Sequence, residues 1–218
     1  MLRAHEGMVG LLGTCAGRSL VIAGNGRTIW DDLRRSGAFP YGLMDIEPSY
    51  VPQDVLPPDL MAINDIGMYL PSLEHWVSFH DDTLVLQNEL RYRVWPYTTQ
   101  PQLHSNTRGQ MGREDRRSPI HEAGVSVQYW GFEEPRMYSS GVLGICIGLM
   151  LGYDRIVLAG MPADNQGNIF QPPWEWSKQG TDTAQEVWQN LIAWVPEVKE
   201  RVRSLSGNTR KWLGAPDE

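Results

Sequence analysis

Apolar residues in this chain fall into short runs that break off at glycine, amide, hydroxyl or carboxylate side chains. Residues 19–23, 60–63, 75–79, 125–130 and 155–159 are runs of this kind. Their length predicts strands, and the first is apolar enough to be buried. A weaker run at 202–205 ends at Ser206-Gly207-Asn208-Thr209. Between the fourth and fifth runs, residues 141–151 are apolar on almost every side and predict a buried helix. Ser139 and Ser140 stand at its N-cap and Gly152 at its C-cap, and Gly144 and Gly148 share a face that permits close approach. Thr28 followed by Ile29-Trp30-Asp31-Asp32-Leu33 predicts the cap and first turns of another helix. Val187, Leu191 and Trp194 mark a third within residues 182–194. Residues 37–58 hold five prolines and predict a wandering loop. Strands alternating with helices predict a doubly wound, mostly parallel α/β sheet, Rossmann-like, with residues 1–218 as a single domain. An irregular or lid-like segment is expected at about 83–124.

In such sheets the ligand crevice lies outside the carboxyl ends of the strands. The residues just past each run are therefore the first site candidates. They are Asn25, Asn64-Asp65, His80-Asp81-Asp82, Gly160-Met161-Pro162, Ser206, Asn208 and Thr209. The turn Gly24-Asn25-Gly26, with Thr28 opening the next helix, would set backbone N–H groups at a positive helix end, where phosphate tends to sit. The plainer alternative is a tight turn that only closes the helix onto the sheet. The turn is not the dinucleotide fingerprint, because Arg27-Thr28-Ile29 follows without a third glycine.

Composition removes several classes. A net charge of -7 argues against general nucleic-acid or anionic-membrane binding. Cys15 and Cys146 are the only cysteines, and the second sits in an apolar run, so free thiols and a reducing, cytoplasmic setting are expected. No signal peptide is read at the N-terminus, and the longest apolar run, 142–151, is too short to cross a bilayer. His75, His80, His104 and His121 fit no standard zinc spacing. Asp81 and Asp82, adjacent on an extended chain, point different ways and are poorly placed to share a divalent ion. No metal or cofactor is expected.

Three segments in order carry a resemblance: Val21-Ile22-Ala23-Gly24-Asn25-Gly26, then Ala62-Ile63-Asn64, then Ser139-Ser140-Gly141 leading to Leu151-Gly152-Tyr153-Asp154 and the run ending at Gly160. Together they resemble bacterial sialyltransferases that use a CMP-sugar donor, and related Rossmann-like proteins. The tail from Val202 also resembles hypothetical proteins of tailed bacteriophages. The resemblance implies a nucleotide-sugar donor as substrate, held by Asn25 and Gly24-Gly26 at its phosphates, by Asn64, and by Ser139-Ser140-Gly141 at a helix N-terminus. Thr28 would replace the family's turn serine. The family's catalytic histidine follows the fifth strand, whereas no histidine here follows His121.

An inverting glycosyl transfer needs a general base at the acceptor hydroxyl and stabilisation of the departing phosphate. His80 and Asp164 are the candidate bases, with Glu175 also in the late loop. Ser206 and Thr209 are candidates for the nucleotide side. Arg108, Arg113, Arg116 and Arg117 read either as a solvated loop or as a flap over a phosphate. Trp174 and Trp176 read either as packing or as a stacking pair for a sugar ring. Trp188 and Trp194 fall at core or interface positions, which leaves room for a homo-oligomer. Two functions follow: a glycosyltransferase with an unidentified acceptor, or a catalytically inactive protein that keeps the nucleotide fold for interaction, of phage origin.

Overall fold

The computed structural model describes residues 10–36, 38, 57–106, 126–132, 139–171 and 178–216. Among them seven strands form one sheet: β1 (Ser19–Ala23), β2 (Asp59–Ile63), β3 (His75–Val77), β4 (Gln102–Asn106), β5 (Val127–Trp130), β6 (Arg155–Ala159) and β7 (Val202–Ser204). Their spatial order is β5-β4-β3-β2-β1-β6-β7, and every adjacent pair is parallel. The order reverses at β1, which pairs with β2 on one side and with β6 on the other.

Helices cover both faces. They are α1 (Ile29–Ser36), α2 (Asp81–Val94), α3 (Ser140–Leu151), α4 (Lys178–Trp194), α5 (Pro196–Arg201) and α6 (Gly207–Leu213), with a 3-10 helix at Asn64–Tyr69. Leu20 and Ile22 of β1 pack with Ile145 of α3 and Trp188 of α4, while Val21 and Ala23 pack with Ile29 and Leu33 of α1 and with Leu84 of α2. This two-sided burial is why β1, β2 and β6 are nearly continuous apolar runs. The doubly wound parallel fold is the one expected.

Helix α3 sits close to the sheet because its inner ridge lacks side chains. A Cβ on Gly144 would stand 2.7 Å from Cδ1 of Ile63, and one on Gly148 would stand 2.9 Å from Cδ2 of Leu20. Gly152 ends the helix in the left-handed region, at φ 93°, as its C-cap position suggested. Cys15 and Cys146 are both free and buried.

Several local readings change. The segment expected to be irregular at 83–124 contains most of α2 and all of β4 in its described part. The third run ends at Val77, and His80-Asp81-Asp82 is not an open turn: His80 is the N-cap residue of α2, whose first turn carries both acids. Acidic groups there complement the positive helix end. The residues after β7 likewise begin a helix, with Ser206 at the N-cap of α6. Most of the proline-rich loop, the four arginines at 108–117, His121, Trp174, Glu175 and Trp176 lie outside the described residues.

Candidate functional site

A cleft of about 200 Å³ opens at the carboxyl ends of β1, β2 and β6, at the point where the strand order reverses. Five short stretches and one aromatic ring form it: Gly24–Gly26, Ile63–Asn64, Ser139–Gly141, Gly160–Asp164, Gly167–Asn168 and Trp188. Chains of this topology bind ligands at that position because the loops on either side of the reversal diverge and leave a gap. The structure thus brings together Gly24, Asn25, Gly26, Asn64, Ser139, Ser140, Gly141 and Asp164.

The glycine turn is built for packing. The N–H of Gly24 donates to the carbonyl of Ala159 at 2.9 Å, and that of Gly26 to the carbonyl of Gly160 at 2.7 Å. A Cβ on Gly26 would lie 2.6 Å from that same oxygen and 2.4 Å from Cδ of Pro162. These two N–H groups are therefore taken up by the end of β6 and do not cradle a ligand. What the turn offers the cleft is the amide of Asn25.

Asn25 and Asn64 share an unusual state. The Oδ1 of each is buried with no hydrogen-bond partner. Their backbones, by contrast, are anchored. The carbonyl of Asn25 accepts from the N–H of Ile169 at 2.8 Å, and that of Asn64 accepts from Nε1 of Trp76 at 2.7 Å. Asn64 also holds a left-handed backbone, at φ 54°. Leaving a buried acceptor unpaired costs about 1–3 kcal/mol, and native structures keep few such groups. The other orphaned side chains among the described residues are Asn88, Ser105 and Gln128, in α2, β4 and β5.

The N-terminus of α3 supplies the facing edge. Ser139 is its N-cap residue, in extended conformation, and its side chain makes no capping bond. Ser140 Oγ accepts from the N–H of Phe79 at 3.3 Å, tying the exit of β3 to the helix. The free N–H groups of the first turn carry a partial positive charge suited to an anion.

The wall after β6 is held at consecutive residues. The N–H of Gly160 donates to Oδ2 of Asp32 at 2.9 Å, and the hydroxyl of Thr209 donates to the carbonyl of Met161 at 2.7 Å. The carbonyl of Pro162 accepts from the N–H of Asn208 at 2.7 Å, and that of Ala163 from Nδ2 of Asn208 at 3.1 Å and Nε2 of Gln185 at 3.2 Å. These bonds hold Ala163 at φ 48°, a conformation unfavourable for a residue with a Cβ.

Thr28, Ser206 and Thr209 are placed behind this wall and are not among the residues lining the cleft. Thr28 and Ser206 donate to Oδ2 of Asp32 at 2.8 and 2.6 Å, and Thr209 is also bonded to Oγ of Ser204 at 2.8 Å. Asp32, which sequence reasoning missed, is fully buried and also pairs with Arg35. The signal was there: Asp32 lies on the same helical face as Ile29 and Leu33, so a carboxylate faces the core. Ala163, Asn168 and Trp188 were also missed as lining residues, whereas Gly160, Met161 and Pro162, expected at a strand end, do line the cleft. Of the two candidate bases, Asp164 lines the cleft, with Oδ1 accepting the N–H of Gln166 at 3.0 Å. His80 is exposed and not among the lining residues.

One group of potential metal ligands occurs among the described residues: Cys15, Asp59 and His75, with ligand atoms within 4.8 Å of one another. Asp59 already bonds Arg18 and Tyr153, and both ring nitrogens of His75 are engaged. A guanidinium beside the carboxylate opposes a cation, and these groups are engaged in a hydrogen-bonded core cluster.

No protein-family model matches the chain, and no curated protein matches it in sequence. Solved structures do match in shape. The sialyltransferase CST-II in complex with a trisaccharide acceptor and CMP has a TM-score of 0.51 at 14% identity, over 91% of this chain and 86% of that one. A point variant of alpha-2,3/8-sialyltransferase CstII has a TM-score of 0.50 at 15% identity, with the same coverage. CstII from Campylobacter jejuni with a substrate analogue has a TM-score of 0.49 at 15% identity, over 91% of this chain and 86% of that one. At such identity the likeness is one of fold: the chain has a sialyltransferase-like fold.

Proposed function

We propose that the cleft binds a nucleotide sugar and that the protein is a glycosyltransferase-like enzyme, with a CMP-linked sugar as the first donor to test. The observation that carries this reading is the pair of buried, unpartnered amide oxygens of Asn25 and Asn64, two residues that line one cleft with the N-terminus of α3. A ligand rich in hydroxyl and amino donors would satisfy the amides, and its phosphate would meet the helix end. The similar fold captured with CMP and a trisaccharide acceptor supports the same choice of donor.

Asp164 is the base in this reading, because it lines the cleft and His80 does not. Its carboxylate takes the proton from an acceptor hydroxyl as that oxygen bonds to the sugar's anomeric carbon. The bond from that carbon to the phosphate oxygen breaks, and the nucleotide leaves with the electron pair, its charge facing the first turn of α3. Trp188 and Met161 border the site and exclude water from one side.

Calorimetric titration with CMP, UMP, GMP and their sugar conjugates tests the reading. Binding of one nucleotide and its sugar conjugate is expected, followed by release of free nucleotide when an acceptor is supplied. No binding by any of them at millimolar concentration would overturn it. Binding without turnover across an acceptor panel would favour the inactive interaction protein, for which the lack of a histidine after His121 is the motivating observation.

A further inference from the structure

Away from the cleft, a single line of side chains crosses the sheet on the α3 face. Trp130 Nε1 lies 3.0 Å from Nδ1 of His104, and Nε2 of His104 lies 3.1 Å from Nδ1 of His75. Nε2 of His75 lies 2.8 Å from the hydroxyl of Tyr153, which lies 2.5 Å from Oδ2 of Asp59. Asp59 is in turn paired with Arg18. Trp130, His104 and Tyr153 are completely buried, and His75 and Asp59 nearly so. The line joins β5, β4, β3 and β2, reaching through the α3–β6 connection to the residue just ahead of β1.

The direction of every bond follows from its ends. An indole N–H can only donate, so Nδ1 of His104 accepts and its proton sits on Nε2. That proton points at Nδ1 of His75, which must accept, leaving the His75 proton on Nε2. This proton goes to the oxygen of Tyr153, whose own hydrogen goes to the Asp59 carboxylate. The tautomers are thus assigned by the network. We propose that this one-way chain is an acid-released lock between the β3–β5 and β1–β2 parts of the sheet.

The lock cannot absorb a proton. A proton added to His75 places two donors face to face at His104. If His104 shifts its own proton to Nδ1, the clash moves to Trp130 and is not relieved. His75 faces Tyr153, Asp59, His104 and the Cys15 thiol, with Arg18 and Glu74 around Asp59; His104 faces His75 and Trp130. Burial, and then the charge of Arg18, lowers the His75 pKa to about 4. Burial, and then His75, holds His104 well below the ordinary histidine value. Both rings are neutral in the folded and unfolded chain above about pH 6.5, so the lock is intact there. Below that, the unfolded chain takes up protons that the folded one refuses. Stability is lost as pH falls from about 6.5 towards 4 and beyond. Two such histidines raise the unfolding constant by up to about a hundredfold per pH unit.

Urea unfolding between pH 7.5 and 5.0 tests this, with wild type beside Trp130→Phe. The variant keeps an aromatic ring in the core but removes the donor that closes the chain. His104 can then move its proton to Nδ1 and accept from a protonated His75, so one proton fits. The expected result is a pH dependence shallower than wild type by about tenfold per unit in the unfolding constant. Equal steepness in both proteins would overturn the proposal. The second measurement uses wild type alone: nitrogen-edited NMR of the imidazoles. His75 and His104 should both carry hydrogen on Nε2 and remain untitrated from pH 7.5 to 5.5. Titration of either near 6.5, or a hydrogen on Nδ1, would overturn the lock even if the variant failed to fold.

Discussion

Asn25 and Asn64 have backbones bonded into the scaffold and amide oxygens that are buried without a partner. Their substitution should therefore separate binding from folding. A hydrogen bond between neutral groups contributes about 0.5–1.5 kcal/mol, so Asn25→Ala should weaken donor binding about two- to tenfold in calorimetry. Its melting temperature should hold or rise slightly, because the change removes a buried acceptor without a partner. Asn64→Gly is the matching variant, since glycine keeps the φ of 54° without strain while deleting the amide. An Asn25→Ala protein that binds normally but melts early would assign that side chain to the turn alone. Both asparagines were legible from sequence because each stands where an apolar run ends, Asn64 directly after Ile63 and Asn25 one glycine after Ala23. Asp32 was not read as a site-positioning residue because polar residues in a first helical turn ordinarily serve the helix end. Only the fold reveals that this carboxylate gathers Thr28, Ser206 and Gly160 behind the cleft wall.

At the scale of elements, α3 controls how near the helix mouth comes to Asn64. Gly144→Ala would drive a methyl group to 2.7 Å from Cδ1 of Ile63, the residue just before Asn64. Overpacking of this kind costs about 1–3 kcal/mol. The urea midpoint should fall accordingly, and donor affinity should fall with it as the helix lifts. An alanine tolerated in both measurements would contradict the close contact. Helix α3 and strands β1, β2 and β6 were plain in the sequence because their burial is apolar. Strand β4 was invisible for the opposite reason. Its sequence Gln102-Leu103-His104-Ser105-Asn106 holds one apolar residue, yet four of the five are buried. His104 can be there only because Trp130 and His75 bond its two nitrogens. Helix α2 escaped because its apolar residues do not gather on one face: Leu84 and Val85 are buried, while Leu86 and Val94 are exposed.

For the molecule as a whole, the reversal of strand order at β1 fixes when the chain can be completed. Ser19 pairs with Arg155 and Ala23 with Ala159, while the other edge of β1 is filled by β2. A ribosome releases β2, β3, β4 and β5 in the order in which they add to one side of β1. The opposite edge of β1 must wait until β6 has emerged. During that interval the growing protein carries an open, apolar strand edge, and α3 arrives before the strand that finishes its seat. Long-range parallel pairing of this kind is slow and exposes aggregation-prone surface. A chain ended after residue 152 should therefore be recovered mainly as aggregate. One extended through α6 should be soluble and protease-resistant, as read by sedimentation and limited digestion. Because the cleft lies on the seam between β1 and β6, no nascent form short of that closing step can hold the assembled cleft, so a donor that binds there, added during synthesis, should stabilise only the finished protein.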